Sequence, residues 1–355
     1  MSGRLLSRHA ECTFWLARYL ERVESMARIL EAHSSFRRGR TGPDSWAWII
    51  ALYSDETNFY KKFPTADAAS VIQYYVTYLD NPSSIQASVR AARENARALR
   101  PLISTDMWLQ INDFYMRLLS FGDSDFTEAR LSRSCDAIKR GCYAEIGVAE
   151  STLYRDESWP FFRLGLFIER ADQTSRLLDV QFAQRATGME TSPEQQAGLW
   201  NALLRSASAY HAYRRAHASG LDPAAVARFL IFDTRLPRSI AFCADEIQRM
   251  VSQLRGEFRL RNAQRSFERV EAFQTDLQSA RRDEGLLAHL HQFNDWVQSE
   301  LMLLTAELGN AFFGHQKTPP AGADQPYAGR SDAGGQQKLS QSPLDATGSQ
   351  QSQGQ

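Results

Sequence analysis

Two stretches of this chain are versions of one helix. Residues 14–31 read FWLARYLERVESMARILE, and residues 162–179 read FRLGLFIERADQTSRLLD. At a constant offset of 148 residues, Phe14, Leu16, Glu21, Arg22, Arg28 and Leu30 meet identical residues, while Glu24 and Glu31 meet Asp172 and Asp179. Agreement in charge as well as in apolar spacing is hard to attribute to helix composition alone. Leu16, Leu20, Val23, Ala27 and Leu30 alternate steps of four and three, the seam of a helix with one buried face. Leu164, Ile168, Ala171, Ser175 and Leu178 repeat that seam. A duplicated seam implies equivalent burial, so the two helices are expected to lie near each other in a pseudo-twofold arrangement.

One position beyond each seam runs a charged stripe. Ala17, Glu21, Glu24, Arg28 and Glu31 form the first, and Gly165, Glu169, Asp172, Arg176 and Asp179 the second. It lies roughly 100° around the helix from the seam. Glu24–Arg28 and Asp172–Arg176 are acid-before-base pairs at i,i+4, and Arg28–Glu31 and Arg176–Asp179 follow at i,i+3, which is how an exposed helix satisfies its own charges. Glu169 stands apart, because Gly165, Leu166, Asp172 and Gln173 one turn away offer no base. Its partner has to come from another helix, with Arg93, Arg97 or Arg238 as candidates, or from a ligand. A second stripe, Arg90, Arg93, Arg97 and Arg100, flanks the seam Ile85, Val89, Ala92, Ala96 and Leu99. Such a face either bridges to the acidic stripes, stays solvated, or binds phosphate or carboxylate through forked guanidiniums.

The rest of the chain carries helix punctuation and no period-2 strand pattern, which predicts an all-α multi-helix bundle. Ser7 is expected to cap a helix to about Ser35, followed by a loop over 36–44 with Asp44 and Thr65 as later caps. Asn81-Pro82 reads as cap and first-turn proline of a helix ending before Pro101. Ser104 or Thr105 starts a helix ending near Gly122. A helical region spans about 127–154, with Gly141 and Gly147 as weak points. Pro160 opens a long helix to about Arg185, Ser192 begins a capping box, and Asp222-Pro223 starts another helix. Three more helices fit between Pro237 and Phe313. From Gln316 the composition turns to Gly, Gln, Ser and Pro, which cannot offset its ordering entropy. The reading is therefore one helical domain over 1–315 and a disordered tail over 316–355.

Lys+Arg and Asp+Glu both number 41, so nothing suggests a general nucleic-acid or anionic-membrane footprint. No apolar run approaches the ~20 residues of a membrane span, and the N-terminus lacks the apolar core of a leader. Cys12, Cys135, Cys142 and Cys243 include no CxxC pair, consistent with reduced, buried thiols in the cytoplasm. None of the seven histidines has Glu three positions before it, which removes the usual di-iron helix pair. Phosphate-loop, dinucleotide, zinc-protease and serine-elbow motifs are absent too, so neither metal nor cofactor is expected.

The segments SRHAECTFWLARYLERVESMARILE, ARENARALRPLISTDMWLQIN, FFRLGLFIERADQTSRLLD, WNALLRSASAYHAYRR and FLIFDTRLPRS together resemble the bacterial alpha-E domain family. HAECTFW departs slightly from the AENLYW-like start of related chains. The resemblance implies an all-helical domain, usually encoded beside a circularly permuted ATP-grasp ligase and a transglutaminase-like protein. It transfers no catalytic residue. The expected function is an accessory or scaffold subunit of that peptide or amide ligase system, binding a partner enzyme, a peptide or an anion. Candidate binding residues are Glu21, Glu24 and Arg28 on the first helix, Glu169, Arg170, Asp172 and Arg176 on the second, Arg93 and Arg97 on the arginine stripe, and Asp233 and Arg238 in FLIFDTRLPRS. Two alternatives stay open. One is an enzyme using Glu21 and Glu169 as acid and base in a cleft, and the other is a purely structural oligomerising bundle.

Overall fold

The computed structural model describes residues 5–37, 46–186, 193–217 and 220–314. Among these residues there are helices, turns and no strand. In chain order the α-helices are α1 (Ser7–Arg37), α2 (Ala47–Leu52), α3 (Glu56–Phe59), α4 (Ala68–Val76), α5 (Ile85–Ala98), α6 (Thr105–Leu119) and α7 (Leu131–Thr152). Then follow α8 (Ser158–Ala186), α9 (Pro193–Ser206), α10 (Tyr210–Ala216), α11 (Pro223–Phe232), α12 (Ile240–Gly256), α13 (Gln264–Arg282) and α14 (Leu290–Leu308). The all-α expectation holds. Residues 316–355, Asp44 and Ser192 lie outside the described residues.

The two versions of the repeated helix, α1 and α8, pack directly on each other. They run parallel and in register. The Leu5 amide donates to Glu157, Arg18 reaches Glu169 and Arg22 reaches Glu169, at separations of 152, 151 and 147 residues. These separations bracket the repeat offset of 148, so equivalent positions stand level. Both seams are sealed: Leu16, Leu20, Ala27 and Leu30, and Leu164, Ile168, Ala171, Ser175 and Leu178, have no exposed surface. Equivalent positions meet at the crossing, where the Ala17 Cβ is 3.2 Å from the place a Cβ would take on Gly165.

Each central helix carries a three-helix layer of its own. α5 and α7 pack on α1 with α6 bridging them, and α12 and α14 pack on α8 with α13 bridging them. The duplication therefore extends beyond the repeated helix. Pro82, Ser84 and Ile85 at the start of α5 recur as Pro237, Ser239 and Ile240 at the start of α12. Ser84 and Ser239 are both N-caps, accepting from the amides of Ala87 and Phe242.

Several helix starts differ from expectation for local reasons. Asn81 is not the cap of α5. Its amide donates to the Tyr74 carbonyl and its oxygen accepts from the Ser83 amide, so it holds the preceding turn and leaves capping to Ser84. Thr65 is not a cap either, because its hydroxyl donates to Asp67, and Asp67 accepts from the Ser70 amide to start α4. Helix α7 runs unbroken through Gly141 and Gly147. The former is a packing glycine: a Cβ there would stand 2.4 Å from the Phe114 ring. Ser104, Asp222 and the last three helices are placed as the punctuation predicts.

Candidate functional site

The charged stripes of α1 and α8 face inward, which helix-surface pairing does not predict. Glu21, Glu24 and Glu169 have no exposed surface. The parallel register brings the Glu-Arg dipeptide of one helix against that of the other. Arg22 donates to Glu169 through Nε at 2.8 Å and through a terminal nitrogen at 3.1 Å. Reciprocally, the Arg170 Nε lies 3.0 Å from Glu21 Oε2. The two halves of this brace are not equal. Arg22 meets Glu169 in hydrogen-bonding alignment, whereas the nitrogens around Glu21 stand at ion-pair distance without it.

Glu169 also accepts from Arg18 at 2.8 Å and from the Gln173 amide at 3.3 Å. Gln173 in turn accepts from the Tyr53 hydroxyl at 2.8 Å. Burial would raise the Glu169 pKa, but the Arg22 and Arg18 guanidiniums outweigh it and hold the carboxyl down at about 2. The partner of Glu169 is therefore none of Arg93, Arg97 or Arg238. Those side chains sit elsewhere, and Arg18 and Arg22 reach Glu169 first because the long helices lie side by side.

Around Glu21 a third element enters. The segment between α11 and α12 inserts Arg238, which pairs with both Glu21 and Glu24 and lies 3.4 Å from the Ser25 hydroxyl. That segment is anchored on two sides. Thr174 on α8 donates to the Arg238 carbonyl at 2.8 Å, and Ser239 donates to the Asp233 carbonyl at 2.6 Å. Asp233 itself accepts from the Arg235 amide at 2.8 Å and pairs with its guanidinium at 2.9 Å, so it shapes the turn that presents Arg238. Glu24 also pairs with Arg28 and accepts from Tyr143 of α7 at 2.7 Å. Burial would raise Glu21, and Arg170 and Arg238 together bring it below its ordinary value.

The ends of the stripes are tied to the flanking layers. Glu31 binds Lys139 of α7 at 2.5 Å, and Asp179 binds His291 of α14 at 2.6 Å, an equivalent position in each half. Asp172 and Arg176 pair at 2.9 Å as the i,i+4 spacing predicts. The arginine stripe of α5 faces away from both acidic stripes. Arg93 and Arg97 pair with Glu94 on their own helix at 3.2 and 2.7 Å.

The sequence reading does not single out two buried acids, Glu246, which pairs with Arg163 and Arg249, and Glu145, which pairs with nothing among the described residues. Glu145 on α7 has no exposed surface, and neither carboxylate oxygen has a hydrogen-bond partner. Burial raises it to about 8. The signal was present: Cys135, Ile138, Cys142, Glu145 and Ala149 step by three and four, which places a Glu inside the seam of α7.

Chemically, this centre is suited to bracing rather than to turnover. A general acid or base has to touch its substrate, and Glu21 and Glu169 are sealed with guanidiniums on their oxygens. Cations do not fit among these arginines. Asp179, His291 and Asp295 offer three ligand atoms within 4.8 Å of one another. His291, however, turns its Nδ1 to Asp179 and its Nε2 to Asp295, opposite edges of one ring, so a single ion would have to displace one of these contacts.

No helix among the described residues is long and apolar enough to cross a membrane. The chain is similar to uncharacterized proteins of Mycobacterium bovis and of two strains of Mycobacterium tuberculosis. Each is 25% identical over 267 residues, a match covering 68% of this chain. The match spans only 29% of the length of those relatives. No solved structure matches. The Alpha-E family model, described as a predicted alpha-helical domain with a conserved ER motif, matches residues 5–313, and the chain belongs to that family.

Proposed function

We propose that this chain is a non-catalytic accessory subunit, a rigid helical scaffold serving an ATP-dependent peptide or amide ligase system in the cytoplasm. The observation that carries the non-catalytic part is the reciprocal, buried bracing of Glu21 by Arg170 and of Glu169 by Arg22. Truncating one member of a buried pair destabilises strongly, while the pair itself adds geometric specificity more than net stability. That is what a protein needs when its task is to hold a shape. The ligase association comes from the family resemblance, and it agrees with relatives in which the matching region is a minor part of a longer chain. Four free, buried cysteines suit a reducing compartment.

The test is co-expression with an ATP-grasp ligase and a transglutaminase-like protein from the same genome, the partners the resemblance implies, followed by size-exclusion chromatography and a ligase assay with and without this chain. The proposal expects a stable complex and a ligase that loses activity or solubility alone. Failure to co-elute with either protein would sink it. Loss of activity in Glu21→Gln or Glu169→Gln, with unchanged stability and intact complex, would instead favour the enzyme reading.

A further inference from the structure

We propose that the outer face of the α5–α6 hairpin is a docking surface for an acidic amphipathic helix of a partner protein. The proposal rests on the accessory reading above and names the surface that would do the recognising. The two helices are antiparallel: Arg100 lies 4.8 Å over the Trp108 ring, and Arg93 lies 5.1 Å over the Tyr115 ring and donates to Asn112 at 2.7 Å. Three parallel strips result, a cationic edge on α5, an aromatic middle and an apolar edge on α6.

The apolar edge is unusually open. Leu109, Met116 and Leu119 are 58%, 62% and 50% exposed. Leu109 and Met116 are two turns apart, about 10 Å along the axis, the spacing at which a helix presents its i and i+7 side chains. The cationic edge is under-neutralised. Glu94 serves both Arg93 and Arg97, and among the described residues no carboxylate lies within ion-pair reach of Arg90 or Arg100.

The second half of the molecule supplies the internal comparison. α13 occupies the place in its half that α6 occupies in the first. Its outward positions, among them Arg265, Glu268, Glu271, Thr275 and Gln278, are polar, and no large apolar side chain on it is exposed. The fold itself therefore does not require apolar residues on the outer helix. Scattered exposed apolar residues are ordinary, but a stripe of them beside unpaired arginines marks an interaction face. The arginines call for acids on the partner's flank, and the i,i+7 apolar pair calls for a helix between. An anionic bilayer fits less well, because Glu94 and Asp113 stand within the same face.

The full chain is titrated, by fluorescence anisotropy, into a labelled designed helix of about five turns, with leucines on one face and glutamates on its flanks. A copy with lysines for glutamates, and vesicles of phosphatidylglycerol and phosphatidylcholine, serve as comparisons. The expected result is saturable, salt-sensitive binding of the acidic peptide alone. R90E/R100E and, separately, L109S/M116S should each weaken it by about tenfold or more without shifting the melting temperature. Equal binding of both peptides, indifference to either double substitution, or binding to vesicles but not to peptide would each overturn the proposal. R90E/R100E also enters the co-expression experiment. A ligase complex that survives it unchanged would discard this surface while leaving the accessory role intact, whereas no complex with the wild-type chain would fail that role itself.

Discussion

A Cβ on Gly165 would stand 2.1 Å from the carbonyl oxygen of Phe14, a contact between the backbones of the two central helices. Backbone cannot rotate away as a long side chain can, so Gly165→Ala has to push α1 and α8 apart. Alanine gains about 1 kcal/mol in helix propensity over glycine, and overpacking costs typically about 1–3 kcal/mol and sometimes more. The expected outcome is a net loss of stability in urea denaturation, against the sign of the propensity change. Ala17→Gly at the equivalent position should cost only about 1 kcal/mol. A Gly165→Ala protein as stable as wild type would mean the helices are not held at this distance.

The constant offset between the repeats is legible in the sequence, and it carries much of the centre with it. If the helices pack in register, Glu169 comes level with Glu21, and Arg22, the next residue along, is the base beside it. Arg22 does lie on another helix, as the lack of a local base requires, but Arg93, Arg97 and Arg238 are not it. Local i,i+3 and i,i+4 pairs make the stripe look like surface, yet two helices packing on each other bury more than one seam. Tyr53, Gln173 and Tyr143 had no local signal, since their roles depend on which elements the fold brings together. The α5 arginines point outward for a simple reason: Ile85, Val89, Ala92, Ala96 and Leu99 already fill the side facing α1.

Glu169 should contribute to acid sensitivity. Its carboxyl is held at about 2 in the fold against an ordinary 4.5, so its stabilisation is complete above pH 4.5 and is lost as the pH falls towards 2. Glu169→Gln should destabilise by roughly 3–5 kcal/mol at neutral pH, because two largely covered guanidiniums lose their buried carboxylate. Between pH 4.5 and 2 the mutant's stability should fall less steeply than the wild type's. Acid unfolding of the two proteins is followed by circular dichroism, and equal slopes between pH 4.5 and 2 would show that Glu169 is not ionised in the fold.

Glu145 has the opposite sign. Burial raises it from 4.5 to about 8, so the folded state keeps a proton that the unfolded chain releases. Stability then declines as the pH rises from 4.5 to 8 and levels off above, by an amount of the order of a few kcal/mol. Glu145→Met keeps the volume and removes the titration. The mutant should melt higher than wild type at pH 8 and near it at pH 4.5. A difference that does not change with pH would show that Glu145 finds a partner and is charged.

The reciprocal brace makes a prediction that separates cohesion from specificity. Arg22→Met alone leaves Glu169 with Arg18, and Glu169→Met alone leaves Arg18 and Arg22 without a carboxylate. Each single change should therefore be costly, the second more so. In the double mutant the desolvated charges of the pair disappear together, apolar side chains fill similar space, and only Arg18 is left without its carboxylate. Buried ion pairs replaced in this way are often neutral or even more stable, so the double mutant should lie well above the sum of the singles in a double-mutant cycle. Strict additivity would mean that Arg22 and Glu169 do not interact. The family's Glu-Arg motif would then need another explanation than holding two equivalent helices in register.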